Sequence, residues 1–254
     1  MWITFKKTGI ILIFISLAII MTGCAEDKAL IKRQSQAKQD LAKSFLGQGN
    51  FTAGLNELIK AEELDPENAE IQNDLAIAYR FMDLHSKAIT HFKKAIELRP
   101  NFSEAYNDLG YTYLILSKWD LSIKCFEKAL EKTLYPTPHF AHSNLGYAYY
   151  KKGEYKKAVE SYLKATKSQP SFSKAYHNLG ITYEAMNELD KAVGAYEESI
   201  RYAPETPVSY FYLGKLYIKL KKPSLAIEKF EETIRLDKTN TFTPEAKNLL
   251  GKIK

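Results

Sequence analysis

The sequence predicts an all-α chain assembled from six copies of one helical hairpin, and three observations predict it. A leucine recurs at Leu41, Leu75, Leu109, Leu145, Leu179 and Leu213, in steps of 34, 34, 36, 34 and 34 residues. An aromatic residue follows each leucine by one helical turn, at Phe45, Tyr79, Tyr113, Tyr149, Tyr183 and Tyr217, which puts the pair on one helix face. Helix breakers are scarce, 12 Gly and 9 Pro in 254 residues, and Pro66, Pro100, Pro136, Pro170 and Pro204 keep the leucine rhythm, so they separate units rather than interrupt them.

Residues 1–23 carry Lys6 and Lys7, an apolar run from Gly9 to Met21, and the small residues Thr22 and Gly23 ahead of Cys24, the layout of an export signal. The run is shorter than the ~20 residues a helix needs to cross a bilayer, so a cleaved signal is expected rather than a permanent span. Residues 24–34 read as a polar tether that reaches roughly 35 Å when extended. The repeats occupy 35–68, 69–102, 103–138, 139–172, 173–206 and 207–240. In each, a small residue follows the leucine (Ala42, Ala76, Gly110, Gly146, Gly180, Gly214) and lets a second helix come close. That second helix carries its own pair, Gly54, Ala88, Ser122, Ala158, Ala192 and Ala226, each followed one turn on by Leu58, Phe92, Phe126, Tyr162, Tyr196 and Phe230. The single longer step comes from the stretch Leu134-Tyr135-Pro136-Thr137-Pro138 between the third and fourth units. In 241–254, Thr243-Pro244-Glu245 reads as the cap and first turn of a closing helix whose Ala246, Leu249, Leu250 and Ile253 cover the last repeat.

The composition, 45% hydrophobic and 26% charged, excludes a disordered chain, a collagen and a polytopic membrane protein. Lys and Arg exceed Asp and Glu by 36 to 30, but the signs interleave and loss of residues 1–23 lowers the formal charge from +6 to +4, so no nucleic-acid partner is expected. Two cysteines, Cys24 and Cys125, supply no disulfide framework. His139 and His142 alone have spacing suited to sharing a metal, without a cysteine or paired carboxylate to join them, and His142 takes the place that Tyr106 and Tyr176 hold in neighbouring repeats; packing is the expected role, with no metal and no cofactor. No nucleophile elbow, phosphate loop or HExxH motif occurs, so neither catalysis nor a small-molecule substrate is expected.

Units such as Tyr106-Asn-Asp-Leu-Gly-Tyr-Thr-Tyr113 and Tyr176-His-Asn-Leu-Gly-Ile-Thr-Tyr183 resemble the tetratricopeptide repeat family. The resemblance implies a right-handed superhelix of six helix-turn-helix repeats and a C-terminal capping helix, stacked as one continuous array. It also implies that the first helices line a concave groove for a protein partner. Carried onto this chain, the groove positions are Gln39, Lys43 and Leu46 in the first repeat, then Asn73, Ile77, Arg80 and Phe81, then Asn107, Tyr111, Leu114 and Ile115. The fourth repeat offers Ser143, Tyr147, Tyr150 and Lys151, and the last two His177, Ile181, Glu184, Phe211, Lys215 and Ile218. Asn73, Ile77, Arg80, Asn107, Tyr111, Leu114, Tyr147 and Tyr150 form the middle stretch expected to hold an extended peptide or helix.

Met21-Thr22-Gly23-Cys24 resembles a bacterial lipobox, which implies cleavage before Cys24 and its lipidation, and Ala25-Glu26 lacks the aspartate that retains many lipoproteins in the inner membrane. Six repeats behind a lipobox, with a Thr133-Leu134-Tyr135-Pro136 connection, resemble the outer-membrane lipoproteins of type IV pilus biogenesis, the PilF, PilW and Tgl family. That resemblance implies a periplasm-facing pilotin, anchored in the outer membrane through Cys24, whose partner is a secretin. The alternative is an adaptor lipoprotein for peptidoglycan enzymes or for outer-membrane protein assembly.

Overall fold

The computed structural model describes residues 28–131 and 135–253, and these hold thirteen α-helices and no strand. Helix α1 covers 28–47. It is followed by α2 (Phe51–Leu64), α3 (Ala69–Phe81), α4 (His85–Leu98), α5 (Ser103–Ile115), α6 (Trp119–Leu130) and α7 (Pro138–Lys151). Then come α8 (Tyr155–Ser168), α9 (Ser173–Ala185), α10 (Leu189–Tyr202), α11 (Pro207–Lys219), α12 (Pro223–Leu236) and α13 (Thr243–Ile253). The export signal, Cys24 and Thr133-Leu134 lie outside the described residues. No helix among the described residues is long and apolar enough to cross a membrane. Residues 28–34, expected as extended tether, are instead the opening turns of α1. Lys28, Ala29, Leu30, Lys32, Arg33 and Gln34 are good helix formers, and no Gly or Pro occurs before Gly47 to stop them.

The sequence predicts one continuous array, whereas the chain's contacts group it into two compact units, one ending at Thr112 and the other beginning at Tyr113, inside α5. In the first, α3 packs on α4 and on α2; in the second, α7–α8, α9–α10 and α11–α12 pair as hairpins and each pair packs on the next. This nearest-neighbour stacking is what a short helical repeat must do to bury its apolar stripe.

The buried core is the ladder read from the sequence. Leu58, Phe92, Phe126, Tyr162, Tyr196 and Phe230 are all fully buried, as are Ala88, Ala158, Ala192 and Ala226 beneath them. The small residue after the leucine has its physical reason here: a Cβ built on Gly146 would lie 2.8 Å from the Tyr162 ring, on Gly180 2.5 Å from Tyr196, and on Gly214 2.8 Å from Phe230. Each glycine is therefore the seat of the aromatic ring from its own second helix. The first repeat departs from the pattern, for Leu41 is 43% exposed while Leu75 and Leu213 are fully buried. Among the described residues no helix pair precedes α1 to cover it.

Six identical turns join the first and second helices. The residue eight beyond each leucine is left-handed, Gly49, Asp83, Ser117, Gly153, Asn187 and Lys221, with φ between 56° and 77°. The next N–H donates back to the ladder aromatic's carbonyl, as in Leu84 to Tyr79 at 2.9 Å, Lys118 to Tyr113 at 2.8 Å and Glu188 to Tyr183 at 2.8 Å. This is the helix C-terminal motif that a left-handed residue permits, and only two of its six positions carry the glycine that would announce it.

The closing helix α13 packs Ala246, Leu249, Leu250 and Ile253 on the cluster of Tyr217, Ala226 and Phe230. Its cap differs from the expected one. Thr243 is already the first helical residue and is a donor: Asp237 accepts the N–H of Phe242 at 2.7 Å, the N–H of Thr243 at 2.9 Å and the Thr243 hydroxyl at 3.0 Å. Those donations outweigh the burial that opposes them and hold the Asp237 carboxyl well below its ordinary range.

Candidate protein-binding site

In the first unit the expected groove residues separate by burial. Asn73 is 7% exposed and its Oδ1 meets no hydrogen-bond donor. Ile77 and Asn107 are half-buried on α3 and α5. Arg80 and Tyr111 come together: the Arg80 guanidinium lies 5.1 Å from the Tyr111 ring and 5.2 Å from Phe81, and is 3.6 Å from Asp108 Oδ1. Phe81, 55% exposed, stacks in turn on Phe51 with ring centroids 4.8 Å apart, and Tyr111 is 36% exposed. The result is a row of two aromatics, a guanidinium and a third aromatic, the residue types that concentrate binding energy at interfaces. Gln39 is fully buried and donates to Asp74 at 2.6 Å, with Lys43 3.3 Å from the same carboxylate, so these two serve the fold before any partner.

Burial pushes the Asp108 carboxyl up to about 6, with Glu104 and Asp74 adding to the effect and Arg80 opposing it. An unfolded chain titrates this group near pH 4, so its contribution to stability is complete below that and is lost as pH rises through about 6. Asp108→Asn is expected to remove this slope, so that its stability measured against wild type is about 1–3 kcal/mol more favourable at pH 7.5 than at pH 4.5. Urea midpoints of both proteins at the two pH values check it, and parallel pH profiles would refute it.

In the second unit, Leu114 is half-buried against the cluster of Ile123, Phe126, Leu145 and Ala148. Phe211 is buried, and Glu184 accepts the Tyr196 hydroxyl at 2.6 Å. Tyr147 and Tyr150 are half-buried on α7, their rings stacked with centroids 6.5 Å apart, and Tyr150 reaches Tyr155 at 5.6 Å. The Lys151 ammonium sits 5.3 Å from the Tyr147 ring centroid. On α9 the His177 ring meets Tyr212 edge-on at 5.2 Å, and its Nδ1 shares a 3.0 Å hydrogen bond with the Ser209 hydroxyl. Burial brings His177 down to about 4, so the imidazole is neutral at neutral pH. Burial raises the Tyr150 hydroxyl, and Tyr155, Tyr147 and Tyr212 add to it, which places Tyr212 within electrostatic range.

Sequence reasoning missed Tyr212 and Tyr155. The signal for Tyr212 was present in the column just before each leucine, which reads Asp40, Asp74, Asp108, Asn144, Asn178, Tyr212: acidic through the first three repeats, then amide and aromatic. Along this column the first unit keeps carboxylates that the second unit replaces.

His142 lines an open pocket of about 440 Å³ with Glu127, Leu145, Tyr149, Ser161 and Lys164. Its Nδ1 is shielded and without a partner, and burial, helped by Lys164, lowers its pKa, so it contributes a neutral ring. Tyr149 donates to Glu127 at 3.1 Å, and burial first, then that bond, raises its hydroxyl to about 12. Among the described residues no group of three or more His, Cys, Asp and Glu gathers in a metal-binding arrangement.

Four tetratricopeptide repeat models match the chain, over residues 40–101, 91–124, 146–187 and 173–206. No curated protein matches it significantly in sequence. Among solved structures it is similar to PilW, described as a widely conserved type IV pilus biogenesis factor, with TM-score 0.77 and 22% identity over 85% of this chain and 98% of that one. It is similar also to Pseudomonas aeruginosa PilF, with TM-score 0.75 and 18% identity over 86% of this chain and 99% of that one. YrrB, described as a TPR protein with an unusual peptide-binding site, aligns with TM-score 0.58 and 20% identity over 75% of this chain and 97% of that one. The matched segments, the buried ring of the second helix in five of the six repeats and the six identical turns establish that this chain is built of tetratricopeptide repeats.

Proposed function

We propose that the protein is a non-enzymatic lipoprotein of type IV pilus biogenesis, lipidated on Cys24 and held at the outer membrane facing the periplasm, where it binds secretin subunits and assists their assembly. The observation that carries the reading is the near end-to-end likeness to PilW and PilF, 98% and 99% of whose chains are covered by this one. The lipobox-like Met21-Thr22-Gly23-Cys24 supports the membrane address, and the exposed Phe81 and Tyr111 rings beside Arg80 and the Tyr147–Tyr150 stack support protein binding. Multiple acyl chains on one cysteine supply the stable anchoring that a single chain does not.

The test is a pull-down from solubilised envelopes with the tagged full chain. A secretin whose recovery depends on Tyr147 supports the reading; recovery of cell-wall hydrolases or barrel-assembly proteins in its place overturns the pathway and favours an adaptor lipoprotein. Cys24→Ser is expected to move the protein from the membrane to the soluble fraction on fractionation, and retention at the wild-type level would refute lipidation as the anchor.

A further inference from the structure

Resting on the reading that the first-helix face of the second unit holds a protein partner, we infer that this face takes an extended, proline-containing segment carrying acidic side chains. The face is aromatic and its hydroxyls are unspent. Tyr147, Tyr150, Tyr155 and Tyr212 make ring contacts with their neighbours, yet none of their hydroxyls forms a hydrogen bond among the described residues. Three other tyrosines of the unit are committed to glutamates: Tyr149 donates to Glu127 at 3.1 Å, Tyr196 to Glu184 at 2.6 Å and Tyr217 to Glu197 at 3.3 Å.

The carboxylates beside this face are already engaged. Glu184 is taken by Tyr196, and Glu245 accepts Lys215 at 3.0 Å. An ordinary extended peptide would bring a row of N–H donors that need acceptors, and leaving them unmet on burial costs affinity. Proline has no N–H, and a polyproline II segment makes no internal hydrogen bonds, so it presents carbonyl acceptors and apolar rings to a surface of phenol donors and aromatic faces. Charge completes the match. Lys151 packs over the Tyr147 ring with no carboxylate partner among the described residues, and the leucine-preceding column has lost its acids here, with Asn144, Asn178 and Tyr212 where the first unit has Asp74 and Asp108. An acidic residue beside the prolines would find Lys151 unopposed.

The experiment titrates the full chain, purified in detergent, into fluorescein-labelled peptides and follows anisotropy. The probes are four Asp-Pro-Pro triplets, four Asp-Ala-Ala triplets and four Lys-Pro-Pro triplets. We expect saturable binding of the first and at least ~10-fold weaker binding of the other two, a difference of about 1.4 kcal/mol. Tyr150→Phe, which keeps the ring and removes the donor, is expected to weaken the Asp-Pro-Pro peptide ~3- to 10-fold with an unchanged helical circular dichroism spectrum and melting temperature. Lys151→Glu should abolish the preference for Asp-Pro-Pro over Lys-Pro-Pro. Equal binding of the proline and alanine peptides overturns the inference, as does a Tyr150→Phe protein that binds like wild type. If the envelope partner still depends on Tyr147 while the peptides are not discriminated, only the proline inference fails; if partner recovery is also independent of Tyr147, the protein-binding reading of this face fails with it.

Discussion

Replacing Tyr196 by alanine is expected to lower the unfolding free energy by about 3–5 kcal/mol, the cost of removing a large buried aromatic and leaving a cavity. The ring is fully buried, packs with Tyr212 at 6.2 Å and His177 at 5.7 Å, and seats on Gly180, while its hydroxyl is bonded to Glu184. The same geometry makes the partner substitution informative. Gly180→Ala would bring a Cβ to within 2.5 Å of Tyr196 Cε1, and a ring held on all sides cannot give way cheaply, so overpacking costs about 1–3 kcal/mol. In the Tyr196→Ala background that cost should vanish, giving a coupling of about 1–3 kcal/mol in the double-mutant cycle. Urea denaturation of the four proteins followed by circular dichroism measures it, and additive effects would mean that the glycine is small for another reason.

The second large effect is on binding. Tyr147→Ala and Tyr150→Ala are each expected to weaken the partner complex by about 1–3 kcal/mol, and together to reduce its recovery from envelopes to background. Both side chains offer a rigid apolar ring at little conformational cost, and Lys151 supplies charge beside them. Because the two rings also pack on the cluster of Ala158, Tyr162 and Leu179, part of any loss could come from the fold. Tyr→Phe versions at both positions separate the causes, since they keep the packing. Retained binding in both alanine variants, with melting curves intact, would move the partner to another surface, the Arg80–Tyr111 row of the first unit being the next in line.

The groove residues were legible as a set but not one by one. Periodicity places Asn73, Arg80, Leu114, Tyr147 and Phe211 on the same helix face, yet a helix face spans both its exposed crest and its buried flanks. Asn73 and Phe211 are buried, Leu114 is half-buried against the Phe126 cluster, and Arg80 is turned toward Asp108 and Tyr111. Glu184, one of the expected groove positions, accepts the Tyr196 hydroxyl. Which of these a partner could reach depends on neighbours in other helices, a dozen to about thirty residues away in sequence, and no local pattern records them. Tyr212 was overlooked for the opposite reason: it stands in a column of Asp and Asn, and a break in a polar column carries meaning only once the face it points to is known.

The sequence by itself determined the number of repeats, the helix pairs and the identity of the buried rings, because a period of 34 residues with leucine, a small residue and an aromatic at fixed offsets has one economical way to hide its apolar stripe, against the adjacent copy. It also determined the closing helix, through the spacing of Ala246, Leu249, Leu250 and Ile253. Tertiary structure alone decided the turns, where Ser117, Asn187 and Lys221 are held left-handed without a glycine to announce them, because the carbonyl of the ladder aromatic and the packing of the following helix outweigh the backbone preference of a single residue. It alone decided the cap of α13, supplied by Asp237 rather than Thr243, and which tyrosine hydroxyls are tied to a glutamate. A hydroxyl's partner is set by the meeting of side chains from different helices, and that information resides in three dimensions.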